Sequence, residues 1–110
     1  MSEVTRYDAV QARTANYQQT VLAAIGQVAD SLEALDHDAE QLDAQAHAQS
    51  AARENVDLTR KSYNEGIVGV LQILDAERLY QNARLGYVRA QAQRYIDTVQ
   101  LFLALGGAGT

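Results

Sequence analysis

The sequence contains no cysteine, no proline and no tryptophan. Without cysteine the chain has no disulfide and no thiolate chemistry, so cysteine usage does not separate an oxidising compartment from a reducing one. Without proline the strongest interrupter of helices is missing, while alanine is abundant. Six tyrosines and one phenylalanine are too few for a globular core of aromatic packing. These absences favour long helices that meet along narrow seams.

An excess of basic residues is also lacking. Nine lysines and arginines stand against fourteen aspartates and glutamates, which gives a net charge of −5. The basic residues are scattered, so we expect no nucleic-acid partner. No stretch approaches the roughly 20 apolar residues of a membrane helix, and residues 1–3 lack the features of a signal peptide. We therefore expect the chain as given to lack both a signal peptide and a membrane segment.

Patterns for catalysis and for metal binding are equally scarce. His37 has carboxylates around it in the sequence. On a helix, however, His47 would project about 80° away from His37, and structural zinc needs about four well-placed ligands. The chain shows no serine–histidine triad arrangement and no glycine-rich phosphate loop. We predict no enzyme activity, no catalytic residues, no metal site and no cofactor.

The first part of the chain has heptad spacing, in which apolar residues recur at alternating steps of four and three. This pattern predicts a helix with a contact seam, and a line of small residues takes over from it further along. The seam comprises Val21, Ile25, Val28, Leu32, Leu35, Ala39, Leu42 and Ala46, and the small-residue line comprises Ala44, Ala48, Ala51, Asn55, Leu58 and Ser62.

The second part of the chain has two such lines, which lie at least a third of a turn apart on a helix. An isolated two-helix hairpin cannot bury both lines, so we expect this helix to have a neighbour on each side. The first line is Ile67, Leu71, Leu74, Arg78, Gln81, Leu85, Val88, Ala92, Tyr95, Val99 and Phe102, and the second is Ile73, Ala76, Tyr80, Ala83, Tyr87, Ala90, Leu101 and Leu105.

A short segment with two glycines separates the two helical parts. Gly66 suits the left-handed residue that ends a helix, and Gly69 is free to admit the next one. We predict an all-α fold, a long antiparallel coiled-coil hairpin with a helix at 3–64, a tip turn at 65–69, a returning helix at 70–105 and a tail at 106–110. At 1.5 Å per residue the helices would span roughly 90 Å and 55 Å, so the first would overhang its partner.

The stretch around the turn resembles the signature of the outer-membrane efflux proteins, the TolC-like channels of Gram-negative export systems. Residues 17–32 and 104–107 are also similar to the family, so the resemblance covers nearly the whole chain. The residues that match the signature in type and spacing are Tyr63, Gly66, Leu74, Asp75 and Ala76.

This resemblance implies a trimeric channel with a β-barrel in the outer membrane and a long α-helical barrel in the periplasm. The chain would supply the second repeat's long helix, the tip turn and the returning helix, and would form part of the channel wall. Its parent would lie in the outer membrane, with this segment in the periplasm. The implied partners are other copies of the parent, a periplasmic adaptor (membrane fusion) protein at the tip and, indirectly, an inner-membrane pump.

Carried over residue by residue, the resemblance also assigns roles at the tip. Some members close the aperture through charged contacts from a basic turn residue, but this chain has Val68 there and an uncharged Gln72. A ring of Asp75 alone would still favour cations. The expected adaptor-docking residues are Gly66, Ile67, Val68, Gly69, Val70 and Leu71, and the expected aperture residues are Tyr63, Gln72 and Asp75.

A second hypothesis comes from a different functional class. A stand-alone structural coiled-coil module that self-associates into a helical bundle would have the same heptad spacing. The adaptor's own α-hairpin is a third alternative, but its usual tip pattern and its flanking lipoyl-type β segments are absent from this sequence.

Overall fold

The computed structural model describes residues 2–108, and within them it contains two α-helices and no strand. Helix α1 runs from Ser2–Asn64 and helix α2 from Val70–Ala108. Helices of 63 and 39 residues are possible because no proline interrupts either one. The predicted all-α helical hairpin is therefore confirmed.

The second helix ends later than the sequence suggested. We expected it to stop at Leu105 and a tail to follow, but α2 continues through Gly106 and Gly107 to Ala108. Gly66 alone has a positive φ among the described glycines, so Gly106 and Gly107 keep ordinary helical backbone. A glycine inside a helix costs only about 1 kcal/mol, which makes it a weak stop signal. The last two residues of the expected tail lie outside the described range.

The described residues divide into two compact units, one formed by residues 35–96 and the other by 2–34 with 97–108. The first of these, the tip unit, has a continuous seam between its two helical segments. Its side chains are buried or half-buried at alternating steps of three and four, as in a coiled coil. The seam comprises Leu35, Asp38, Leu42, Gln45, Gln49, Ala52, Val56 and Thr59 on α1, and Ile73, Ala76, Tyr80, Ala83, Tyr87 and Ala90 on α2.

On α2, the tip unit uses one of the two predicted lines and leaves the other uncovered. The line that begins at Ile73 is buried or half-buried, and Ala76 within it is only 4% exposed. The line that begins at Ile67 faces outward. Its large side chains in the tip unit have exposed fractions of 71% for Ile67, 79% for Leu71, 59% for Leu74, 48% for Leu85, 50% for Val88 and 76% for Tyr95. We call the last five the open face of α2.

On α1, the seam coincides only in part with the predicted line. Leu35, Leu42 and Ala46 of the predicted line are half-buried and Ala39 is exposed, while Asp38 and Gln45, which the line did not include, also lie in the contact. The predicted line is therefore incomplete in the tip unit, because it followed only apolar residues, whereas polar side chains such as Asp38 and Gln45 also occupy contact positions. The small-residue line, which the sequence assigned to no particular neighbour, is exposed at every member except Ser62.

In the other unit, residues 2–23 are exposed without exception. Partial burial begins at Ala24 and Val28 on α1 and includes Leu101 and Ala104 on α2. Ile25 and Leu32, which we predicted to lie in the seam, are 59% and 54% exposed. Most of the apolar surface of this unit therefore lacks a partner within the chain.

Gly86 lies against the side chain of Gln45 across the two helical segments of the tip unit. A Cβ built on Gly86 would lie 2.5 Å from Oε1 of Gln45, so the missing side chain makes room for the Gln45 amide. Gly26 is also in mid-helix, but a Cβ built on it would have no atom within 4 Å. The contact with Gln45 thus gives a steric reason for glycine at position 86 but not at position 26.

These surroundings predict different outcomes for the same substitution at Gly26 and at Gly86. Gly26→Ala should raise the free energy of unfolding by about 0.5–1 kcal/mol, because alanine favours the helix and meets nothing. Gly86→Ala should be near neutral, because displacement of the Gln45 amide offsets that gain. In a Gln45→Ala background, Gly86→Ala should recover the gain. Denaturant unfolding followed by circular dichroism measures all three, and an equal gain for Gly26→Ala and Gly86→Ala in the parent background would contradict the contact.

Candidate functional site

The tip of the hairpin begins with the end of α1, which has the hydrogen bonds of a Schellman motif. Gly66 has a φ of +77°, in the left-handed region. Its N–H donates to the carbonyl of Tyr63 at 2.9 Å, and the N–H of Ile67 donates to the carbonyl of Ser62, also at 2.9 Å. These two bonds satisfy carbonyls that the helix end would otherwise leave open, and they fix where the chain turns.

The tip ends with the start of α2, which is capped by a side chain. The N–H of Gly69 donates to Oε1 of Gln72 at 3.0 Å, and the N–H of Gln72 donates to the carbonyl of Gly69 at 3.2 Å. The first of these bonds is half of a capping box, in which a residue three positions into the helix reaches back to the cap residue. Gly69 and Gln72 are therefore joined in both directions across the first turn.

Between and beside these two caps, apolar side chains face outward. Ile67, Val70 and Leu71 are 71%, 54% and 79% exposed, whereas Val68 is half-buried. Each large apolar side chain left in water forgoes roughly 1.5–3 kcal/mol of transfer free energy. Three of the six expected docking residues, Ile67, Val70 and Leu71, thus expose apolar side chains next to the two capped helix ends.

The expected aperture residues have different surroundings. Tyr63 is 42% exposed on the last turn of α1. Asp75 is bound by Arg78, whose Nη2 lies 2.8 Å from its Oδ1, and both side chains are more than half exposed. The amide oxygen of Gln72 accepts from Gly69. Arg78 partly compensates the negative charge of Asp75, which lessens the cation preference expected from an Asp75 ring.

An ion pair between α1 and α2 lies close behind the tip. Arg60 donates from Nη2 to Oε1 of Glu77, and Val56 and Ala76, which are 7% and 4% exposed, lie in the seam nearby. Arg60 is 61% exposed, so water screens the pair and its contribution is about 0–1 kcal/mol. The apolar contacts hold the helices together here, and the ion pair favours one alignment.

Sequence reasoning missed the Gln72 cap and the Arg60–Glu77 pair. The cap had a sequence signal, since glutamine three residues into a helix is one half of a capping box. Gly69 replaces the serine or threonine that usually completes this motif, and without that hydroxyl residue the capping box was not recognised. The pair had no comparable signal, because its partners are 17 residues apart and charged residues are frequent along the chain.

Comparison with known proteins decides what kind of hairpin this is. Residues 5–107 match the model of the family described as outer membrane efflux protein. The chain belongs to the outer membrane efflux protein family. The family resemblance found in the signature residues is thereby confirmed over nearly the full length, and this family consists of efflux channels rather than enzymes.

Curated relatives of this efflux family member are about 30% identical to it over the aligned residues. The probable outer membrane lipoprotein SilC of Salmonella typhimurium is 29% identical over 92 residues, and the cation efflux system protein CusC of Escherichia coli K12 is 30% identical over 92. The outer membrane protein OprJ of Pseudomonas aeruginosa is 32% identical over 93. Each alignment covers 84% of this chain, which spans about a fifth of each relative's length. No solved structure matches the chain significantly.

Helices that could span a membrane and clusters of possible metal ligands are both absent from the described residues. Neither helix is long and apolar enough to cross a membrane within residues 2–108. Over the same range, no three histidine, cysteine, aspartate or glutamate side chains are grouped so that they could hold a metal ion.

The Schellman motif makes position 66 sensitive to any side chain. Gly66→Ala should lower the free energy of unfolding by about 1–2 kcal/mol, because a Cβ is disfavoured at positive φ although nothing lies within 4 Å of it. Gly106→Ala is the matched control: it also has open space but lacks positive φ, so it should be neutral or stabilising. Denaturant unfolding monitors both, and equal effects would contradict the assigned conformation at Gly66.

Proposed function

We propose that this chain is a periplasmic hairpin segment of an outer-membrane efflux channel, where it forms channel wall, aperture tip and adaptor-docking site. The observation that carries the proposal is the family match over residues 5–107, which spans both helices and the tip between them. Relatives whose names refer to the outer membrane and to efflux support an outer-membrane location for the parent of this chain. As the family resemblance implies, energy for export would come from an inner-membrane pump.

The proposed docking surface is the apolar tip formed by residues 66–71. Its exposed side chains gain transfer free energy once a partner covers them, and the two caps hold their backbone before the partner arrives. A preformed backbone costs less entropy on binding than a turn that has to order first. These properties support a periplasmic adaptor protein as the partner, which would cover Ile67, Val70 and Leu71.

The proposed aperture lies on the first turns of α2 and the last turn of α1. Tyr63 and Asp75 are both exposed and would line the mouth in the assembled trimer. Asp75 and Arg78 would present a dipolar pair there rather than a bare carboxylate, so charge selection at the mouth would be weak. The turn could not close the aperture through charged contacts, because Val68 occupies the position where some family members have a basic residue.

The proposed wall contact is the open face of α2. Five large apolar side chains on one face of a helix would be covered by a neighbouring helix of the channel, as a coiled-coil seam requires. A stand-alone helical bundle would cover the same face. The two functions differ at the tip, since only the channel needs an apolar docking surface there.

Docking through the tip predicts a loss of adaptor binding when its apolar side chains are shortened. Ile67→Ser and Leu71→Ser should each weaken binding of the adaptor from the same export system by about tenfold or more, because each removes roughly 1.5–3 kcal/mol of apolar burial. The control is Leu58→Ser, a similarly exposed leucine on α1 away from the tip. Isothermal titration or surface plasmon resonance gives the dissociation constants. Equal binding by all three variants and the parent would exclude the tip as the docking site.

A further inference from the structure

The amide of Gln72 has a role that the family resemblance did not assign to it. The resemblance places Gln72 at the aperture, but its Oε1 accepts the N–H of Gly69 at 3.0 Å. An amide that is held in this way points back along the chain toward the turn. We propose that Gln72 is a positioning residue for the adaptor-docking tip, which acts by capping α2; this inference rests on the proposed docking function.

The start of a helix has backbone donors that need hydrogen-bond acceptors from outside the helix. The first N–H groups of α2 have no partner within the helix and need acceptors from elsewhere. At a typical start, a serine, threonine, aspartate or asparagine side chain at the cap position provides one. Gly69 occupies that position and has no side chain. The return bond from Gln72 is therefore the side-chain component of the cap, and its loss would leave the turn less well defined.

A second requirement of the cap is steric. A Cβ built on Gly69 would lie 3.2 Å from Oε1 of Gln72, closer than an ordinary contact. Glycine at position 69 thus allows the amide oxygen to approach the backbone N–H of the same residue. The hydrogen bond therefore depends on two features together: the absence of a side chain at Gly69 and the long amide side chain of Gln72.

The cap is also connected to the docking surface. Val70 and Leu71 are the two residues enclosed between Gly69 and Gln72, and both are more than half exposed. The reciprocal bonds between Gly69 and Gln72 fix the backbone that carries these side chains. The Schellman motif fixes the other side of the tip through Gly66. With both caps in place, Ile67 and Leu71 are held in one arrangement before a partner binds.

The test compares a variant that removes the acceptor with one that keeps it. In the 110-residue chain, Gln72→Leu should speed hydrogen exchange of the Gly69 amide and weaken adaptor binding about fivefold, the factor that corresponds to a cap of about 1 kcal/mol. Gln72→Glu should preserve both properties, since a carboxylate accepts the same bond and is favoured near a helix N-terminus. Gln81→Leu, at an exposed position further along α2, is the matched control and should change neither.

The outcomes separate this proposal from the proposed function. Exchange is followed by NMR and binding by titration, and the binding is repeated at high salt, where the charge added by Gln72→Glu is screened. If Gln72→Leu binds as tightly as the parent while Ile67→Ser does not, docking stands and the positioning role is overturned. The positioning role is also overturned if Gln72→Glu does not preserve both the slow exchange of the Gly69 amide and the adaptor binding of the parent. If the parent chain does not bind the adaptor, both proposals fail.

Discussion

Helix α2 has apolar side chains on two faces, and one antiparallel partner can cover only one of them. The pairing with α1 buries the line that contains Ala76 and leaves Leu71, Val88 and Tyr95 in water. Because burial of such side chains is the main source of stability in a coiled coil, the hairpin gains only part of the free energy that its sequence could provide. The rest is available to a neighbouring helix, and this is the property that suits a segment of a larger helical wall.

The tip depends on a different kind of interaction, the satisfaction of backbone groups at helix ends. Gly66 allows the end of α1 to close on itself, and Gln72 closes the beginning of α2. Both caps use bonds within the turn, so the apolar side chains between them are not needed to hold it. That separation explains how Ile67 and Leu71 can remain exposed without loss of a defined backbone. A structured turn with free apolar groups is what the proposed docking role requires.

Much of this could be predicted from the sequence. The absence of proline and the heptad spacing indicated two helices, and Gly66 indicated the end of the first. Two apolar lines were predicted on α2, but the sequence did not indicate which of them faces α1. The contact face of α1 could not be located from apolar spacing, because Asp38 and Gln45 occupy contact positions and the apolar stripe is wider than the contact. The role of Gln72 was hidden because a capping box is usually recognised by the hydroxyl that Gly69 lacks.

The central proposal is that the open face of α2 becomes an interface when the chain forms part of an efflux channel, and accessibility at one position tests it most directly. The chain has no cysteine, so Val88→Cys would be the one thiol in this hairpin. In the complete membrane-embedded channel that carries the hairpin, we expect maleimide to label this thiol much more slowly than one introduced by Glu54→Cys, an exposed position on α1. In the isolated monomeric chain, where Val88 is 50% exposed, both should react readily. Equal labelling rates in the assembled channel would contradict the claim.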